Sequence, residues 1–140
     1  MKKNVLFVFA LFVVSFSTVY SQIAVTSYSI YALGVNTSKD KKISGELKVF
    51  SNRYLEETCF EISGLFNLPK KDYYQFSLGL GFNTVPFISN FANALTFPMQ
   101  MEVYPLQSLK QLSFVIEFAP EWCFDDLMTT RHLWGVRYTF

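Results

Sequence analysis

The side chains best equipped for chemistry lie near the end of the chain. His132 is the only histidine, and Asp125 and Asp126 precede it in what reads as a connection. An imidazole beside a carboxylate can act as a general base toward water or a serine hydroxyl. Nothing completes such a machine: there is no Gly-x-Ser-x-Gly elbow, no metal-ligand spacing and no phosphate loop. A lone histidine at a strand start reads first as an interfacial side chain, so catalysis is the minor expectation and no metal or cofactor is expected. Cys59 and Cys123 are the only thiols. In an oxidising compartment they either bridge as a disulfide or stay free, and their spacing does not choose between the two.

A second set of polar groups is larger and more ordered. Glu46, Lys48, Glu61, Glu102, Glu117, Arg131 and Arg137 recur on one face of segments whose opposite face is apolar. Residues 73–83 show the pattern most cleanly: Tyr74, Phe76, Leu78, Leu80 and Phe82 alternate with Gln75, Ser77, Gly79, Gly81 and Asn83. Successive side chains of a strand point to opposite faces, so this period of two predicts a strand. Residues 57–68, 95–104 and 111–119 repeat the alternation, and 43–50 and 131–140 complete it, with a first strand within 23–34. No helical periodicity of comparable quality follows the first twenty residues. The fold expected is all-β and antiparallel.

The start of the chain has a different grammar. Met1-Lys2-Lys3-Asn4 is basic, residues 5–16 are apolar apart from Ser15, and 17–21 are mostly small and polar. This reads as a secretory signal peptide cut near Ser21-Gln22, its apolar core being shorter than the roughly 20 residues that cross a bilayer. Residues 22–140 then form one domain. Removing Lys2 and Lys3 turns the formal charge of +1 slightly negative, and neither value suggests a nucleic-acid partner. A chain without a long apolar helix can span a bilayer only with strands that close on themselves, because lipid offers backbone groups no hydrogen bonds.

The final strand carries the most specific signal. Gly135, Tyr138 and Phe140 have the spacing Gly-x-x-aromatic-x-aromatic, ending on an aromatic residue. This resembles the export signature of bacterial outer-membrane β-barrels, and with the leader and strand pattern the chain resembles the small OmpA-like and OmpX-like barrels. The resemblance implies an antiparallel up-and-down transmembrane barrel in the outer membrane of a Gram-negative cell. It also implies periplasmic chaperones, barrel-assembly machinery that reads the last strand as an open edge, and outer-membrane lipids as partners. A partner for the outer loops is not legible.

Seven strands are clear in the sequence, whereas bacterial barrels carry even numbers from eight upward. The eighth is expected in 84–93, in 120–130, or by a split of 22–34. With the terminal strand running inward, 69–72 and 105–109 are inner turns, 84–93 and 121–130 outer loops, and 36–42 a long inner connection. Pro98 is read as a bulge, the alternative being a lateral opening. Tyr54, Tyr73, Tyr74, Tyr104, Trp122, Trp134, Tyr138 and Phe140 gather toward strand ends as interfacial girdles do.

Alternation alone does not say which face points inward. The apolar faces carry bulky residues at nearly every position, while the polar faces mix small with long charged ones, as a narrow lumen can hold. The polar face is therefore expected inside. Its charges must then pair: Lys48 with Glu61, Glu117 with Arg131, and Arg137 with Glu102 through the lumen. Three functions compete: a filled barrel acting as scaffold or surface-interaction protein, a soluble periplasmic barrel or sandwich binding an apolar ligand, and an outer-membrane lipid hydrolase or acyltransferase using His132.

Overall fold

The computed structural model describes residues 22–37, 39–51, 58–85, 92–124 and 127–140. The expected leader, 1–21, and the two aspartates Asp125 and Asp126 lie outside the described residues. The rest is strand and turn: β1 (Ala24–Tyr28), β2 (Ala32–Asn36), β3 (Ile43–Ser51), β4 (Thr58–Asn67), β5 (Tyr74–Thr84), β6 (Ala92–Thr96), β7 (Met99–Val103), β8 (Leu112–Cys123) and β9 (Met128–Thr139). Every adjacent pair is antiparallel, and β1 pairs with β9, so the sheet closes on itself.

Nine segments make eight staves. Both β6 and β7 lie between β5 and β8, and their registers are continuous: Leu95 faces Trp122 and Met99 faces Phe118. They are one strand interrupted at Phe97 and Pro98. Proline has no N–H for the ladder, but the neighbours close around it: Phe97 N–H donates to the Pro120 carbonyl at 2.9 Å, and Gly79 N–H donates to that of Pro98 at 2.8 Å. The bulge expected at Pro98 is absent, since no residue is gained or lost there. The register shift lies instead between Asn83 and Thr84.

The eighth strand comes from the split of the amino-terminal segment. β1 and β2 are joined by Ser29, Ile30 and Tyr31, with Tyr28 opposite Ala32. Ile30 and Tyr31 adopt φ of 63° and 48°, a left-handed conformation that is costly for a β-branched or bulky residue. Nothing in the residue types announces a turn. The hairpin is half as tall as its neighbours: β1 covers β9 only from Gly135 to Thr139. Above it, Met128 to Leu133 of β9 have β8 on one side and no strand partner on the other among the described residues.

Closure sets the geometry of the bore. Following partners around the wall from Met128, through Trp122, Leu95, Phe82, Ile62, Leu47, Val35 and Val25, returns to β9 at Tyr138, ten residues further on. With strands about 4.8 Å apart and about 3.3 Å per residue, that offset gives a tilt of roughly 40° and a radius of roughly 8 Å. Side chains fill such a bore. Residues 22–23, the last residue Phe140 and the connections 37–42 (residue 38 aside), 68–73 and 104–111 share one rim, called inner below.

The apolar faces point out and the polar faces point in. Ile62, Phe76 and Phe114 are 64 %, 42 % and 47 % exposed, whereas Lys48, Glu61, Glu117 and Arg137 are wholly buried. Of the aromatic residues expected at the rims, Tyr73, Tyr74, Trp122, Trp134, Tyr138 and Phe140 are exposed. Tyr104 corrects that expectation: it is 4 % exposed and closes the inner mouth, with Lys70 Nζ 4.3 Å from its ring centre. Tyr54 lies outside the described residues.

Candidate functional site

The bore holds a continuous ionic network built from alternate positions of five strands and one loop. On β3 and β4, Lys48 and Glu61 stand directly opposite each other, and Lys48 Nζ lies 2.7 Å from Glu61 Oε1. The same ammonium lies 2.7 Å from Glu117 of β8 and 3.5 Å from Glu46 of β3. Arg131 of β9 bridges Glu61 at 2.6 Å and Glu117 at 3.2 Å, and also pairs with Glu121. Arg137 lies 2.7 Å from Glu102 of β7 and 3.3 Å from Glu46. The three pairs expected from strand arithmetic are thus together, inside a larger web.

Neutral side chains join the two halves of that web. Gln100 of β7 donates from Nε2 to Glu117 at 2.6 Å and to Glu46 at 2.5 Å. Tyr28 of β1 donates its hydroxyl proton to Glu46 at 2.6 Å and accepts from Arg137 at 3.3 Å. Its ring reaches the centre because two glycines leave room for it. A Cβ at Gly34 would come within 2.9 Å of the ring, and one at Gly135 within 3.0 Å. Gly135, expected only as part of an export signature, therefore also has a packing role.

A loop lysine plugs the inner end. Lys39 precedes β3, yet its ammonium reaches into the barrel, 2.7 Å from Gln100 Oε1 and 3.4 Å from Glu102. Burial, reinforced by the nearby Arg137 charge, lowers its pKa from 10.5 to about 8. Beside it a cavity of about 220 Å³ opens between Glu102, Tyr104, Lys110 and Arg137. Among the described residues four cations (Lys39, Lys48, Arg131, Arg137) face five carboxylates (Glu46, Glu61, Glu102, Glu117, Glu121). By formal charge these residues leave one negative charge in excess.

Tyr28, Lys39, Gln100 and Glu121 were not singled out by sequence reasoning. Glu121 sits on the alternating polar face of its strand and could have been found by extending that face two residues beyond Ala119. Gln100 lies on the polar face that the alternation marks, but nothing local names its partners, 17 or more residues away; Lys39 lies in a loop and its side-chain partners are 61 or more residues away.

The remaining candidates stand apart from this network. His132 is exposed on the outer face, opposite Phe118, while its neighbours Arg131 and Leu133 turn inward. Cys59 and Cys123 are half-buried free thiols near the outer ends of β4 and β8, three strand spacings apart around the wall. Tyr138 and Phe140 are exposed, their rings edge to face at 5.0 Å. Phe140 N–H donates to the Ile23 carbonyl at 2.9 Å, which ties the last residue to the start of β1. Among the described residues no cluster of His, Cys, Asp and Glu is arranged to hold a metal ion.

No protein-family model, curated protein or solved structure matches this chain.

Proposed function

We propose that the chain is a small integral barrel of the bacterial outer membrane, delivered there after cleavage near Ser21-Gln22. In this reading it acts as a scaffold or surface-interaction protein and not as an open pore. The observation that carries this reading is the inversion of an ordinary globular domain, with a belt of Phe, Ile, Leu, Val, Met and Trp outside and buried Lys, Arg and Glu within. In water such a belt would be an aggregation surface. In hydrocarbon it is what a spanning barrel presents.

Dimensions support the same reading. The twelve-residue staves β8 and β9, tilted roughly 40°, rise about 30 Å, enough for the roughly 25 Å apolar band of such barrels. A bore crossed by paired side chains suits a plug better than a conduit. The inversion weighs against a soluble barrel that holds an apolar ligand, because the lining here would have to desolvate several charges to receive one. The exposed position of His132, away from the buried acids, favours a non-catalytic role. The terminal Gly135, Tyr138 and Phe140, by their resemblance to the export signature, would engage the assembly machinery, with periplasmic chaperones carrying the chain before that.

The test is expression of the full chain in a Gram-negative host, followed by membrane fractionation and electrophoresis of boiled and unboiled samples. The expected result is protein in the detergent-extractable outer-membrane fraction, with a band that shifts on heating. Recovery in the soluble periplasmic fraction with no heat-dependent band would refute the proposal.

A further inference from the structure

The outer surface is not uniform where β3, β4 and β5 meet the inner rim. Gly45 and Gly64 are register partners on adjacent strands, both on the outward face. A Cβ built on either meets nothing within 4 Å. Two side chains are therefore missing side by side from the apolar belt. Beside Gly64 the surface opens into a groove of about 370 Å³ lined by Ile43, Phe66, Leu78 and Leu80.

Phe66 also borders a second hollow of about 400 Å³, lined by the 39–42 loop and the 68–70 turn. Its lining combines apolar Phe66, Leu68 and Pro69 with Lys41, Lys42 and Lys70, and Asp40 is the one acid in it. The loop that presents Lys41 and Lys42 is pinned from inside the barrel. Asn67 Nδ2 donates to the Lys41 carbonyl at 2.9 Å, Asn67 N–H to that of Lys42 at 2.8 Å, and Gln75 Nε2 to that of Lys39 at 3.1 Å. Lys70 is held over the Tyr104 ring.

An apolar groove that adjoins, across Phe66, a hollow rimmed by lysines has the amphipathic form of a phospholipid. The geometry points to a bound anionic phospholipid, its phosphate between Lys41, Lys42 and Lys70 and one acyl chain along the groove beside Gly64. This rests on the membrane reading above and deepens it by naming a lipid class and a place. Three lysines against one aspartate favour a net-negative headgroup over a zwitterionic one. The groove requires the acyl chain, so free phosphate alone is a poorer ligand.

The full chain is inserted into vesicles of phosphatidylglycerol or of phosphatidylcholine, insertion is read from heat-dependent mobility, and lipid retained after mild detergent washing is counted by native mass spectrometry. Phosphatidylglycerol should be retained roughly ten-fold more than phosphatidylcholine, and the Lys41→Gln, Lys42→Gln, Lys70→Gln triple variant should abolish that preference. Gly64→Leu, which has open space for its side chain, should insert normally and lose retained lipid. Excess inorganic phosphate should not displace the lipid.

Normal insertion with equal retention of both lipids, or an unaltered preference in the inserted triple or Gly64→Leu variant, overturns the site and leaves the membrane reading intact. Displacement by phosphate alone also overturns it and identifies a simple anion site. Failure to insert into either vesicle overturns both readings together.

Discussion

Replacing Lys48 and replacing Glu61, two members of one buried pair, should have very unequal costs. Lys48 touches three carboxylates, Glu46, Glu61 and Glu117, with its side chain wholly buried. Lys48→Met keeps much of the aliphatic volume and removes the charge. The bore then holds three cations against five carboxylates, and the group shared by all three acids is lost. Removing one partner of a buried pair costs about 3–5 kcal/mol, and with three acids affected the upper half of that range is expected. Glu61→Gln acts on the opposite side of the balance. It leaves four cations against four carboxylates, Lys48 retains Glu46 and Glu117, Arg131 retains Glu117 and Glu121, and the amide oxygen can still accept. Its cost should be about 1.5–3 kcal/mol, because Lys48 and Arg131 each bond one oxygen of Glu61 and the amide keeps only one of the two acceptors. The measurement is urea unfolding of the inserted protein in lipid vesicles, followed by tryptophan fluorescence and by the heat-shifted gel band. If Lys48→Met costs less than about 1 kcal/mol, the size of an exposed pair, the network does not stabilise the barrel as described. A Glu61→Gln cost equal to that of Lys48→Met would refute the charge-balance reasoning.

Ile30→Gly should raise stability by about 1 kcal/mol, because Ile30 is exposed with φ of 63° and glycine removes the left-handed penalty; a lower urea midpoint would count against this. A pH effect should come from Lys39. Below pH 8 it is charged in both the folded and unfolded chain, and its desolvation weighs fully against folding. Between about 8 and 10.5 the folded chain loses the proton first, so its contribution to stability rises with pH. Lys39→Met should flatten the rise of unfolding free energy between pH 8 and 10, and an unchanged slope would refute the assignment. In planar bilayers the protein should show no steady conductance, since Lys48, Glu117, Gln100 and Arg137 occupy the bore; regular open-channel steps would contradict the filled lumen.

Strand periodicity was readable because the pleat imposes it residue by residue. Runs such as Tyr74 to Asn83 needed no knowledge of their neighbours, and Lys48 with Glu61 followed from one hairpin. The β1–β2 hairpin was not readable as such: Ser29, Ile30 and Tyr31 contain no glycine, asparagine or proline, and the surrounding fold holds their left-handed backbone against local preference. Pro98 carried a local signal that admitted more than one outcome, and continuous register on both sides of it was decided by the strands flanking β6 and β7.

Local pattern therefore determined that this chain is antiparallel sheet with one greasy and one polar face, and where most strands run. Side-chain size already pointed the greasy face outward, but only closure brought Tyr28 and Gln100 to Glu46 and Lys39 to Glu102. A period of two is the same whether a face turns in or out, and partners across a lumen depend on the ten-residue offset of the whole wall, which no single segment encodes.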